Sequence, residues 1–245
     1  MSPRARTPSY AVVRAALDAQ WDVLLAGLPL LDPTGPTAVA GWTVREVEAH
    51  LTATTGGLAR LLAAAGPAAA DTGVTGWAAA LPGLAAVVDA DARSTAPALA
   101  AAVAEARGAL DAADPTRNVA QRTGAHTLSD ALVFRLVEGV VHGLDLGIEP
   151  ARPALKEVVR ALVQVLAERV PGHAVELRVP PYAVVQCVAG PRHTRGTPPG
   201  TVEVDPVGWL LVATGRLAWE DAVAEGRIRV RGDRADLRDH LPLLS

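Results

Sequence analysis

Apolar residues recur every three or four positions along most of the first 170 residues, a spacing typical of amphipathic helices. This pattern predicts helices at about 9–26, from 43 onward, 77–91 with a break at 82–83, 96–113, 127–147 and 152–170. Beyond Pro171 and Gly172 the period falls to two, which predicts strands. These strands lie at 174–179, 182–188, 201–205 and 228–231, with a turn at 190–200 and short helices at 206–214, 219–225 and 235–241.

The order of these elements predicts the fold class, an all-helical part followed by a smaller α+β part, with the boundary near residues 148–173. Two helix starts are marked by local signals. Thr43 is followed three residues later by Glu46, which is a capping box, and Thr127 is followed by Asp130 in a similar arrangement. Each signal precedes an apolar run, so both runs are expected to be helical from their first turn.

Composition narrows the class of protein. Half of the chain is hydrophobic and only 3% is aromatic, which favours closely packed helices with small side chains. The net charge of −3 comes from interspersed acidic and basic residues, so no nucleic-acid surface is expected. Neither a signal peptide nor a membrane-spanning stretch is recognisable, and a cytoplasmic monomer without a membrane partner is expected.

Cys187 is the only cysteine, which rules out a disulfide within the chain and a metal site built from several cysteines. It lies in a strand-like apolar segment, and a buried cysteine is usually inert. Cys187 is therefore not expected to be a nucleophile.

Candidate chemistry lies in the apolar helix that begins near Thr127. Glu138 and His142 are four residues apart, so in a helix they share one face and can contact one ion. Burying both groups costs free energy unless each has a partner. That partner is either a metal ion or a salt bridge and hydrogen-bond network.

A third candidate ligand, His50, lies on the helix that begins at Thr43 and leans toward its apolar side. Two histidines and one carboxylate are a common zinc set that leaves at least one position open for water or substrate. A lone histidine on a core face is more often a hydrogen-bonded structural residue. The residues alone leave both interpretations open.

The segments Trp42-Thr-Val-Arg-Glu-Val-Glu-Ala-His50-Leu and Glu138-x-x-x-His142-Gly-x-Asp145-Leu resemble the mycothiol-dependent maleylpyruvate isomerase family. That family belongs to the DinB-like four-helix-bundle metalloproteins. The segments 209–222 and 231–237 look like the family's C-terminal domain, which is similar to sterol carrier proteins. The resemblance implies a DinB-like bundle over residues 1–150 and an α+β, sterol-carrier-like domain over 151–245.

The resemblance also implies that His50, Glu138 and His142 bind zinc. It places Arg216 within reach of a carboxylate of the substrate or thiol cofactor, although a solvated residue at a helix C-terminus explains Arg216 equally well. Asp145 is expected to orient a ligand or to bridge within the bundle, not to bind the metal.

Mycothiol is the implied thiol cosubstrate. At an open zinc position its thiol would have a lowered pKa and would attack an electrophilic small molecule. Isomerisation of a maleylpyruvate-type substrate and thiol S-transfer need the same site and are not separated by the sequence.

Two further hypotheses remain beside this one: an apolar-ligand-binding protein of sterol-carrier type, and a metal-free structural descendant of the family. The polar residues 116–125 are predicted to form a loop. This loop and 66–76 are expected to line the pocket. His126 either lines the site or is solvated before the helix cap, and the second is favoured.

Overall fold

The computed structural model describes residues 8–93, 98–190, 200–232 and 235–244. The described residues form two compact units, an N-terminal one that ends at Ala154 and a C-terminal one that begins at Leu155. An all-helical part and a smaller α+β part are both present, so the predicted fold class is confirmed. No helix of the described residues is long and apolar enough to cross a membrane.

In its described residues, the N-terminal unit is a bundle of four long α-helices with two short ones. In chain order these are α1 (Tyr10–Gly27), α2 (Val44–Ala63), α3 (Val74–Ala80), α4 (Ala85–Ala92), α5 (Leu99–Asp111) and α6 (Leu128–Asp145). Helix α1 packs on α6 and α2 packs on α5, with further contacts between α2 and α6 and between α1 and α5. The predicted apolar stripes are the buried faces: Leu17, Val47, Leu51, Val103, Leu136 and Val140 are each at most 2% exposed.

Helices α1 and α6 approach closely because α6 carries glycine where α1 crosses it. A Cβ atom at Gly139 would lie 3.3 Å from Cγ of Gln20, and one at Gly143 would lie 3.2 Å from its Nε2. The buried Gln20 amide donates to the carbonyl of Gly139 at 3.0 Å and accepts from the N–H of Ala151 at 3.0 Å. This contact therefore fixes α6 against α1 at the turn that carries Glu138 and His142.

Both predicted helix starts are confirmed. Helix α2 begins directly after Thr43, whose backbone N–H and hydroxyl both donate to the carboxylate of Glu46. Helix α6 begins directly after Thr127, whose Oγ1 accepts from the N–H of Asp130 at 3.1 Å and donates to its carboxylate at 2.8 Å. These caps satisfy polar groups that the first turn of a helix leaves without partners.

The loop predicted at 116–125 is wrong, because these residues form a hairpin of β1 (Asn118–Gln121) and β2 (Gly124–Thr127). Val119 and His126 are opposite each other and are 1% and 0% exposed. The polar residues beside them conceal this alternation in the sequence. The favoured interpretation of His126 as a solvated residue is also wrong, since its ring is buried against Phe134 at 4.8 Å between centroids.

The C-terminal unit contains a mixed four-stranded sheet. Its elements are α7 (Arg152–Arg169, which begins before the unit boundary), β3 (Val175–Val179), β4 (Ala183–Cys187), β5 (Gly200–Val204), α8 (Pro206–Ala213), α9 (Trp219–Ala224) and β6 (Ile228–Arg231). The strand order is β4-β3-β5-β6, with β3 and β5 parallel and the other pairs antiparallel.

The closing helix predicted at 235–241 is wrong, since only a 3-10 turn at Arg238–His240 is present. The residue before a proline favours extended backbone, and Leu241 has a ψ of 151° before Pro242. Leu243 and Leu244 then donate backbone N–H groups to the carbonyl of Ala213. Most of the predicted turn at 190–200 and the predicted helix start at 96 lie outside the described residues.

Candidate metal centre

The fold brings together the three residues expected to bind a metal. Their ligand atoms lie within 4.8 Å of one another. Nε2 of His50, from α2, lies 3.0 Å from Oε2 of Glu138, and Nε2 of His142 lies 3.4 Å from the same oxygen. Helix α6 supplies Glu138 and His142 from one face, so the site depends on the contact between α2 and α6.

The donor set fits a small divalent metal. Two imidazole nitrogens and a carboxylate oxygen suit zinc, whose ligands at about 2.0–2.1 Å in a tetrahedron are separated by about 3.3 Å. The two separations from Oε2 of Glu138, 3.0 and 3.4 Å, are close to that value. The histidines are 2% and 8% exposed. Nδ1 of His50 is buried and has no hydrogen-bond partner among the described residues. The same three side chains also satisfy one another in part by hydrogen bonds.

Asp145 forms a hydrogen bond with His142. Its carboxylate lies 2.8 Å from Nδ1 of His142, and it is buried. A carboxylate accepts only from N–H, so Nδ1 carries a proton and Nε2 faces Glu138. The structure therefore places Asp145 beside a candidate ligand and not among the three ligand atoms.

Charges in this cluster shift the pKa values of its members. Burial of Glu138 opposes its ionisation, but hydrogen bonds from His142 and His50 hold its pKa well below the usual range. Burial of His142 opposes its protonation, but hydrogen bonds to Asp145 and Glu138 raise its pKa to about 9. In the metal-free cluster Glu138 is therefore ionised and His142 is protonated at neutral pH.

Trp42, which precedes the cap of α2, covers the two histidines. Its ring centroid lies 5.7 Å from that of His50 at an angle of 61°, and 6.3 Å from that of His142 at 16°. An indole against both imidazoles restricts their rotation. Trp42 was not among the site residues expected from the sequence, although it stands in the quoted segment with His50.

A cavity of about 430 Å³ borders the candidate ligands His50 and Glu138. Its walls come from α2, α3, α4, the β1–β2 hairpin and α6. Residues 120–123 line it, as expected for the segment 116–126, whereas 66–76 contributes none of its lining residues. The cavity is large enough for a small molecule beside the three ligands.

Arg135 and Gln121 also line this cavity, and neither was expected there from the sequence. Arg135 stands three residues before Glu138 in the apolar run of α6. A charged residue on the same helical face as a candidate ligand was the signal that could have identified it.

Arg216 lies in the C-terminal unit, after the end of α8, and its guanidinium donates to the carbonyl of Thr214 at 3.0 Å. Its role in catalysis stays a prediction. A cavity of about 210 Å³ in this unit is lined by charged residues that include Glu203, Asp205, Arg227 and Arg229. These charges do not favour an apolar ligand there.

Comparison with protein families identifies both parts of the chain. Residues 14–147 match the model described as the mycothiol maleylpyruvate isomerase N-terminal domain. Residues 151–243 match the model described as the bacterial SCP ortholog. The predicted family, with its sterol-carrier-like C-terminal domain, is confirmed.

Solved structures show the same fold. The crystal structure of a mycothiol-dependent maleylpyruvate isomerase is 16% identical, covers 90% of each chain and superposes with a TM-score of 0.56. A histidine-to-alanine mutant of such an isomerase is 15% identical with the same coverage and TM-score. A search of curated protein sequences finds no match.

Proposed function

Because the chain belongs to the mycothiol maleylpyruvate isomerase N-terminal domain family, we propose that it is a metal- and mycothiol-dependent enzyme acting on an electrophilic small molecule. The observation that supports this most is the convergence of His50, Glu138 and His142, two of which, His50 and Glu138, line a cavity of about 430 Å³. Arg216 is retained as a proposed contact to the substrate or the thiol.

In this proposal the three side chains bind zinc, and Asp145 fixes the orientation of His142. A bound zinc ion supplies a positive charge that lowers the pKa of a thiol at its open position. Trp42 shields the histidines, and the cavity beside His50 and Glu138 holds the electrophile.

The thiol chemistry allows two outcomes at this one site. The thiolate sulfur adds to a conjugated cis double bond, the resulting single bond rotates, and loss of the thiolate leaves the trans isomer. Alternatively the adduct takes up a proton and is released as a thioether. Proximity of the two reactants in one cavity favours either reaction.

The test is the zinc content of protein purified without an affinity tag. Wild type should contain one zinc per chain, and His142→Ala should lose it. His173→Ala, in which the histidine bonded to Gln186 is removed from the C-terminal unit, is the matched control and should keep it. Metal-free wild type of normal stability would contradict the proposal.

Turnover provides a second measurement. Conversion of maleylpyruvate, or of another conjugated electrophile, should require added mycothiol and should be lost in His142→Ala. Equal turnover without any thiol would contradict the proposed mechanism.

A further inference from the structure

Arg135 is a weakly bonded cation in the wall of the cavity. It lies on α6 three residues before Glu138, and both side chains line the cavity. Its guanidinium donates to the carbonyl of Thr54 and to Oε1 of Gln121, each at 3.4 Å. Charge-assisted N–H···O bonds are usually about 2.7–2.9 Å long, so within the described part of the chain these contacts leave much of its hydrogen-bonding capacity unused.

The neighbouring amide of Gln121 has a donor without a partner. Nε2 of Gln121 is buried and makes no hydrogen bond among the described residues. A buried donor without an acceptor is unfavourable, and such groups in folded proteins are rare enough to require a reason. An oxygen atom of a ligand in the cavity would supply the missing acceptor.

Three arginines, Arg60, Arg122 and Arg135, and two carboxylates, Asp91 and Glu138, line the cavity. Burial lowers the pKa of Arg135, and the nearby carboxylates of Glu138 and Asp91 oppose that shift. Glu138 is already engaged by His50 and His142, and a bound metal would take up its negative charge. Arg135 and the metal would then be two cations facing one cavity.

We propose that Arg135 and Gln121 form an anion subsite that binds a carboxylate of the substrate beside the metal centre. Arg135 thereby selects electrophiles that carry a carboxylate and positions them for the thiol. A planar guanidinium suits this role because it pairs with both oxygens of a carboxylate. The assignment to substrate rests on the proposed function, whereas the anion subsite itself requires no metal.

Succinate and its uncharged diamide, succinamide, are suitable unreactive probes. Calorimetric titration should show that wild type binds succinate in the zinc-free and the zinc-loaded form, and succinamide at least about tenfold more weakly. Arg135→Gln should weaken succinate binding by about tenfold or more in both forms. Arg135→Lys keeps the charge but loses the paired geometry. Its succinate affinity should lie between those of wild type and Arg135→Gln.

Two further variants separate the subsite from a structural role. Gln121→Leu removes the amide donor and should weaken succinate binding several-fold. Arg45→Gln removes an exposed arginine of α2 that does not line the cavity, and should bind succinate as wild type does. If Arg135→Gln does not fold, Arg135→Lys and Gln121→Leu carry the test.

Zinc affinity gives an independent readout. Removing the positive charge of Arg135 should tighten zinc binding, because two cations no longer repel each other across the cavity. A merely structural arginine would change the unfolding temperature and leave the succinate affinity intact. The proposal is overturned if wild type fails to bind succinate, binds succinamide equally well, or binds succinate no more tightly than Arg135→Gln does. Failure of the proposed function would appear separately, as protein without zinc or turnover without thiol.

Discussion

Nδ1 of His142 lies 2.8 Å from the carboxylate of Asp145, three residues further along the same helix. This pair determines which imidazole nitrogen faces Glu138 and His50. Because the carboxylate is buried, water cannot readily replace it in that role. Asp145 thus contacts a candidate ligand without being one of the three candidate ligands itself.

Asp145→Asn should weaken zinc binding by about 10- to 100-fold, because an amide accepts a weaker hydrogen bond and leaves the imidazole less basic. Competition with a chromophoric chelator measures the zinc dissociation constant. Asp89→Asn, an exposed carboxylate of α4 outside the cavity lining, is the control and should leave it unchanged. Equal zinc affinity of Asp145→Asn and wild type would show that Asp145 does not support zinc binding.

Zinc affinity should increase with pH up to about pH 9. The pKa of His142 in the metal-free protein is about 9, since Asp145 and Glu138 outweigh its burial, so zinc must displace a proton below that pH. Titration in buffers of different ionisation enthalpy should show proton release at pH 7. Fewer protons should be released when zinc binds to His142→Gln. A zinc affinity that does not change with pH would contradict the assignment of His142 as a ligand.

The stability of the metal-free protein should depend on pH in the opposite direction. The pKa of His142 is raised from an unfolded value near 6.5 to about 9. Its contribution is therefore complete below about pH 6.5 and is lost as the pH rises toward 9. Urea unfolding of zinc-free wild type should show this loss, and His142→Gln should show a flatter profile.

Binding of Co²⁺ should quench the fluorescence of Trp42, whose ring lies 5.7 Å from His50 and 6.3 Å from His142. Trp42→Phe should keep the metal and lose most of the metal-dependent change. The other four tryptophans remain in that variant as an internal reference. Unchanged quenching in Trp42→Phe would place the metal elsewhere.

Thr127→Ala should destabilise the protein by about 1 kcal/mol, the usual effect of losing a helix N-cap. The hydroxyl accepts from the N–H of Asp130 at 3.1 Å, and alanine leaves that N–H without its partner. Chemical denaturation measures the change. Thr127→Ser keeps the hydroxyl and should restore most of the stability, whereas an equal loss in both variants would exclude the cap as the cause.

Cys187 should not react with a thiol reagent in the native protein. It is fully buried, and burial raises the pKa of its thiol to about 11. Labelling should become complete only after denaturation, and Cys187→Ala should keep thiol-dependent turnover. Rapid labelling of native protein would contradict the expectation that Cys187 is not a nucleophile.

Local sequence signals predicted much of the fold because they act within a few residues. The caps at Thr43 and Thr127 start α2 and α6 where predicted, and the alternation after Gly172 predicted all four strands of the sheet. The β1–β2 hairpin was missed because its stability comes from pairing that a short polar segment does not reveal. The end of the chain was misread as a helix because its partner, Ala213, is distant in sequence.

By itself the sequence determined that Glu138 and His142 could act together, because two residues four positions apart share one face of a helix wherever that helix lies. Only the tertiary structure decided that His50 meets them, because no local rule relates residues 88 positions apart. It also decided that Arg135, Gln121 and Trp42 surround the same site. Packing of α2 against α6 and the hairpin creates that proximity, and packing depends on the whole core.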